Sequence, residues 1–196
     1  MEYSTLDKLG VRVSRLGFGC MRFPLTAEGK IDEPRAAAML DTAYKAGVTY
    51  YDTAYFYHQH TGEAFLGRAM KRYPRDTFYL ATKMPMSIVE SLDHAKEIFE
   101  GQLAALQTDY VDFYLLHAVN GERWKQAQEM GIVDFLLEMQ KAGRIRHFGF
   151  SFHGSYEEFE TILTARDWDF CQIQYNYMDT KEQAGDKGYA LAESLG

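Results

Sequence analysis

Three titratable side chains stand at the ends of short apolar runs, where a chain can present chemistry without disturbing its core. Asp52 closes Val48-Thr49-Tyr50-Tyr51, Lys83 follows Leu80-Ala81-Thr82, and His117 ends the run that starts at Val111. Tyr57 comes just after the first of them, in Asp52-Thr53-Ala54-Tyr55-Phe56-Tyr57. A phenol ordinarily titrates near about pH 10, but a lysine cation beside it stabilises the phenolate and makes the proton easier to transfer. Tyr57 is therefore a candidate general acid. Asp52 and Lys83 close consecutive strands and read as a buried ion pair, or equally as a strand-end salt bridge with no chemistry. His117 completes a set that can donate a proton to a carbonyl oxygen while orienting it, the complement of a hydride carried by a cofactor. Ser151, Gln172 and Gln174 add hydroxyl and amide groups suited to holding a carboxamide, though each alone is more often a satisfied strand-end residue.

For these residues to meet, the strands carrying them must run parallel with their carboxyl ends on one side. The pattern supports this. After a hairpin over residues 2–5 and 11–15 and a short strand over 16–21, amphipathic and apolar segments alternate. Helices are expected at 33–46, 62–72, 90–106, 123–142, 155–165 and 182–195, with strands at 48–52, 77–82, 111–116, 145–150 and 170–175. Regular alternation implies right-handed crossovers between parallel strands, in an open doubly wound sheet or a closed barrel. The polar residues separate the two: Asp52, Lys83, His117, Ser151 and Gln172 or Gln174 fall at or near the carboxyl ends of five successive strands, which in a barrel ring one mouth. An open sheet gathers its ligand at a single switch point instead.

The bulk properties narrow the function classes. With 46% hydrophobic and 15% aromatic residues, the chain has ample material for a packed core, in a single domain over 1–196. Its net charge of -7 comes from scattered acids, with no basic stripe to follow a phosphate backbone, so nucleic acid is not an expected partner. No window approaches the roughly twenty apolar residues of a membrane span, and the start Met1-Glu2-Tyr3-Ser4 lacks a signal-peptide pattern, so a cytoplasmic protein without membrane contact is expected. Cys20 and Cys171 are far apart and have no metal-ligand spacing, which marks them as reduced structural thiols. A competing metal site from His58, His60, Asp52 and His117 is disfavoured because Lys83 competes for the carboxylate.

Taken together, Leu16-Gly17-Phe18-Gly19, Asp52-Thr53-Ala54 with Tyr57, Gly62-Glu63 with Leu66-Gly67, Ala81-Thr82-Lys83, Asp109-Tyr110-Val111-Asp112 through His117, Gly143-Arg144-Ile145-Arg146 and Gly149-Phe150-Ser151 resemble the aldo-keto reductases. These are NAD(P)H-dependent oxidoreductases on a (β/α)8 TIM barrel. The resemblance implies reduction of an aldehyde or ketone, with Tyr57 as proton donor, Lys83 as the cation beside it, Asp52 as the anchor of Lys83 and His117 as the substrate orienter. It implies that Ser151 and Gln172 hold the nicotinamide amide, Gln174 falling two residues late, and that Gly19, Cys20, Met21, Asp52 and Phe152 border the cofactor. NADP is the expected cofactor, NAD an acceptable one, and no metal is required. The alternative on the same scaffold is a non-catalytic nicotinamide-nucleotide-binding or redox-sensing module.

Two departures qualify the resemblance. Phe152 and His153 stand where the family usually has Asn after the serine. The chain also ends after six strand–helix units, whereas such barrels run to about 250 residues. The wording of 147–153 and 169–177 most resembles a prokaryotic subgroup whose longer members append a ferredoxin-like cysteine segment, and no such cysteines occur here. The expectation is an incomplete barrel of six parallel strands, truncated relative to the family, with two open edges through which the chain self-associates.

Overall fold

The computed structural model describes residues 1–196. The chain opens with an antiparallel hairpin of β1 (Tyr3–Leu6) and β2 (Val11–Ser14), turned at Gly10 in the left-handed conformation. Six parallel strands follow: β3 (Phe18–Gly19), β4 (Tyr50–Asp52), β5 (Tyr79–Met84), β6 (Val111–Val119), β7 (Ile145–Phe152) and β8 (Phe170–Ile173). They lie in the sheet in sequential order from β3 to β8. No strand order reverses, so there is no switch point, and the sheet is the wall of a barrel rather than an open doubly wound sheet.

Helices α1 (Glu33–Lys45), α2 (Gly62–Met70), α3 (Leu92–Leu106), α4 (Gly121–Glu129), α5 (Ile132–Lys141), α6 (Tyr156–Thr164) and α7 (Gly185–Leu195) connect the strands. Side-chain caps start several of them. Asp32, Ser91, Asn120 and Ser155 each accept a backbone N–H from the first turn of α1, α3, α4 and α6, which would otherwise be unpartnered.

Period-two alternation along the strands sorts side chains into two cores. Tyr51, Leu80, Tyr114, Leu116, Phe148, Phe150 and Phe152 pack outward under the helices. Ala81, Phe113 and Leu115 point inward and meet Val11 of the hairpin, with Leu9, Val13, Tyr50, Tyr79 and Phe170 around them. The hairpin therefore plugs the end of the barrel where the strands begin. At that end Asp112 faces outward from its apolar run, where it accepts the Leu80 N–H at 2.9 Å and pairs with Arg75 at 2.6 Å.

Most element ends shift by a few residues from those the sequence pattern implies, the strand expected over 77–82 lying at Tyr79–Met84 for instance, and three differences matter more. The helix expected over 123–142 is two helices, because Gly131 takes φ +71° and breaks the turn between α4 and α5. The strand expected to stop at 116 continues to Val119 through an irregular register, with Ala118 at φ +47°. Both features put the chain in left-handed backbone, which no hydrophobic period announces. The strand expected over 170–175 ends at Ile173, so Gln174 and Tyr175 lie beyond it.

Gly149 sits on the inner face of β7, where a Cβ would collide with the Phe170 carbonyl and ring on β8. Gly149→Ala is therefore expected to lower stability by about 1–3 kcal/mol, read as a fall in the urea midpoint at constant slope. An unchanged midpoint would mean that β8 does not seat this closely on β7.

Candidate functional site

Inward-facing parity brings Gly19, Asp52, Lys83, His117, Ser151 and Gln172 to the carboxyl-terminal rim of the barrel. The ladders fix their levels: Gly19 pairs with Asp52, Lys83 with Leu115, and Ser151 with Gln172. The Gln172 side chain comes near enough to Asp52 to pull its carboxyl pKa down. A cavity of about 940 Å³ lies elsewhere, between the hairpin and α7, and none of these six residues lines it.

Lys83 is the centre of the rim. Its side chain is 3% exposed, and Nζ donates to both Asp52 oxygens, at 2.7 and 2.8 Å, and to the Thr53 carbonyl at 2.8 Å. An ammonium has three protons, so its donors are fully used. Burial pushes the Asp52 carboxyl up from its usual range, while Lys83 and the Gln172 amide pull it back. The pair satisfies the condition for a stable buried ion pair, with charge matched and the remaining donor bonded.

Tyr57 comes to Lys83 from the loop after β4. The Lys83 Nζ sits over the Tyr57 ring face, 5.2 Å from its centroid, and no hydrogen bond joins the two side chains. The loop is held by a left-handed turn, His58, Gln59 and His60 having φ of +52°, +54° and +67°. Such residues cost about 1–2 kcal/mol each, so the surroundings must hold them. The Thr61 hydroxyl donates to the His58 carbonyl at 2.6 Å, His58 Nε2 lies 3.0 Å from the Cys20 carbonyl, and the His60 ring packs on Tyr55. His58 and His60 are thus engaged in the loop, and no three metal-ligating side chains converge anywhere in the chain.

His117 stands edge-on to Tyr57, ring centroids 6.4 Å apart, with the half-exposed Phe56 ring at 6.3 Å. Its pKa is lowered to about 4, first by burial and then by the positive charges of Lys83, His153 and Arg123. At neutral pH the ring is uncharged, with one nitrogen a donor and the other an acceptor. The backbone behind it is clamped. The Ala118 N–H donates to Ser151 Oγ at 2.8 Å, Arg123 donates to the Ala118 carbonyl at 2.7 Å, and the Gly121 N–H donates to Glu158 at 3.1 Å. Arg123 and Glu158 are positioning residues that the sequence did not single out, because their role follows from the left-handed Ala118.

The residues expected to border a cofactor divide. Gly19 has open space where a Cβ would stand, and Ser151 accepts a bond yet keeps its own hydroxyl proton to donate. Gln172 is exposed at the rim. Two side chains do not face the mouth. Cys20 is fully buried, its thiol directed at the Phe18 carbonyl, and Phe152 packs on Phe159 under α6. Odd and even positions of a strand face opposite sides, so Ser151 inward requires Phe152 outward; these two residues reach the rim only through their backbones. Met21 is half-exposed, and Gln174 lies past β8 with its carbonyl oxygen buried and unpartnered.

A parallel barrel wall with a Tyr, Lys, Asp and His rim defines a (β/α)8-barrel protein, and comparison with known proteins places it further. The family model "Aldo/keto reductase family" matches residues 15–193, so the chain belongs to that family. It is 29% identical over 200 aligned residues to the aldo-keto reductase YhdN of Bacillus subtilis, covering 97% of this chain and 58% of that protein. The holo form of an aldo-keto reductase from Bacillus halodurans superposes with TM-score 0.81 at 28% identity, covering all of this chain and 63% of that one. An aldo-keto reductase from Klebsiella pneumoniae in complex with NADPH shares the fold, with TM-score 0.67 at 24% identity over 85% of this chain and 55% of that one. The chain thus spans about six-tenths of the Bacillus proteins it matches.

The lowered His117 pKa has a pH signature. The folded chain resists protonation at His117 down to about pH 4, whereas an unfolded chain takes up the proton near about 6.5. Its contribution to stability is complete above the unfolded value and is lost as pH falls from about 6.5 toward about 4. His117→Gln is expected to flatten the stability–pH curve in that window, measured by urea midpoints at stepped pH. Equal slopes in parent and variant would contradict a buried neutral His117.

Proposed function

We propose that this chain forms the catalytic rim of an NAD(P)H-dependent oxidoreductase that reduces an aldehyde or ketone to an alcohol. One observation carries the reading: a fully bonded, buried Lys83 ammonium lies over the Tyr57 ring, beside a neutral His117. The Ser151 hydroxyl proton, the Gln172 amide and the open space above Gly19 supply a donor and acceptor set that fits a nicotinamide carboxamide. The Cys20 and Phe152 side chains take no part in that fit. NADP is the cofactor proposed, with NAD as the alternative.

When bound, a reduced nicotinamide supplies the hydride that attacks the carbonyl carbon. The neutral His117 donates its ring N–H to the carbonyl oxygen and fixes its direction. Tyr57 gives its phenolic proton to that oxygen as negative charge develops there. The Lys83 charge stabilises the phenolate left behind through the field across the ring rather than through a hydrogen bond. Asp52 and the Thr53 carbonyl hold the Lys83 ammonium in place through all three of its donors.

Tyr57→Phe removes the proton donor and leaves the ring. It is expected to lower kcat for a simple aldehyde by about 10²- to 10⁴-fold, with NADPH affinity by fluorescence titration unchanged. A variant as fast as the parent overturns the assignment. The non-catalytic alternative draws support from the missing Tyr57–Lys83 hydrogen bond. NADPH binding by the parent without turnover of any aldehyde or ketone would favour that alternative.

The open edges carry a second proposal, self-association. The outer sides of β3 and β8 have no strand partner, and Leu16, Met21, Tyr177 and Met178 lie half or more exposed in the segments flanking them. Sedimentation at micromolar concentration is expected to show concentration-dependent dimers or larger species. A monodisperse monomer would contradict it.

A further inference from the structure

We infer that Glu63 is a positioning residue that sets the separation of Tyr57 and Lys83, by clasping the start of α2 to β5 through Thr82 and Gln102. The inference rests on the reading of Tyr57 as proton donor given above. It begins from a gap in that site: no direct bond joins Tyr57 to Lys83, so their spacing comes from the elements that carry them.

Tyr57 is attached to α2. The Gly62 N–H donates to the Tyr57 carbonyl at 3.2 Å, and a Cβ on Gly62 would press on that carbonyl at 3.1 Å and on Tyr57 Cβ at 3.2 Å. Glu63 is the next residue, in the first turn of α2 and 5% exposed. Its Oε1 accepts the Thr82 hydroxyl at 2.5 Å and the Gln102 amide at 2.7 Å. Gln102 also donates to the backbone carbonyl of Lys83 at 3.0 Å, and its own carbonyl accepts the Tyr114 hydroxyl at 2.6 Å. Glu63 therefore bonds, with one intermediary, to the peptide of Lys83 on one side, and is covalently one residue from the contact with Tyr57 on the other.

The chemistry of the clasp favours placement over simple filling. Thr82, Gln102 and Tyr114 are 1% exposed or less, and a carboxylate among them is costly unless its bonds are directional and satisfied. An apolar side chain would fill the same space without fixing the register of α2 against β5. Past the end of β4 the Lys83 carbonyl has no ladder partner on that side, and Gln102 supplies one. Burial pushes the Glu63 carboxyl up, whereas its two bonds and the Lys83 charge pull it down, so its field also acts on Lys83 through the strand.

The experiment places 3-fluorotyrosine at position 57 in the full chain and reads its ¹⁹F resonance in the parent, Glu63→Ala, Glu63→Gln and Thr82→Val, alongside aldehyde reduction. Glu63→Ala is expected to shift and broaden the resonance and to lower kcat about 10- to 100-fold, with aldehyde KM and NADPH affinity within about twofold. Glu63→Gln, which keeps an acceptor for Thr82, is expected to restore the line shape and most of kcat. A folded Glu63→Ala with the parent's resonance and kcat overturns the inference. If Glu63→Ala does not fold, Thr82→Val decides by the same readouts. A parent without reductase activity would sink the proposed function, while the ¹⁹F spectra would still decide whether Glu63 places Tyr57.

Discussion

The rim depends on a buried ammonium. Lys83 is 2% exposed, in surroundings where an unpaired charge is costly. Asp52 and the Thr53 carbonyl occupy all three of its donors. Removing one partner of such a pair typically costs about 3–5 kcal/mol, a large share of the 5–15 kcal/mol that a domain of ordinary stability has. The constraint reaches outward: β4 must end at Asp52, β5 must turn Lys83 inward, and the two strands must pair in the register observed.

Strand parity does much of the remaining positioning. Once Lys83 faces the barrel interior, Thr82 and Met84 face the helices, and Thr82 becomes available to Glu63 and Gln102. The same rule sends Ser151 inward and Phe152 outward. The barrel interior and the helix layer thus carry separate polar systems back to back on one strand. The interior one is charged and opens on the mouth, while the outer one is closed and fully bonded at Gln102. Tyr57 lies outside this scheme, on a loop whose left-handed turn is held by local bonds, by α2 and by the contact of His58 with the Cys20 carbonyl.

This division explains what could be read from residues alone. The apolar runs ending in Asp52, Lys83 and His117 revealed strands and rim together, since a strand end is both a change in hydropathy and a place for a polar group. The resemblance to aldo-keto reductases draws on those stretches together with 16–19, 62–67, 143–146 and 149–151. Motif position places Cys20 and Phe152 beside the cofactor, whereas strand alternation at Phe152 and the burial of Cys20 turn both side chains away from the mouth. The break at Gly131 and the continuation through Ala118 were not legible, because a positive φ is set by tertiary bonds such as those from Ser151 and Arg123. In sequence Glu63 reads only as part of a helix start, since its partners Thr82 and Gln102 lie 19 and 39 residues away.

The electrostatics of the rim bear on the proposed proton roles more sharply than residue types do. A histidine beside a tyrosine could itself be the acid, being the usual group for proton transfer near neutrality. Here burial and the Lys83, Arg123 and His153 charges hold the imidazole pKa at about 4, so at neutral pH it has no extra proton to give. It can still donate a hydrogen bond, which orients an oxygen without transferring charge. The cation that disfavours imidazolium also lies over the Tyr57 ring face, 5.2 Å from its centroid. A single buried Lys83 thus acts on both rings of the proposed site, helping to hold His117 neutral while facing the Tyr57 ring.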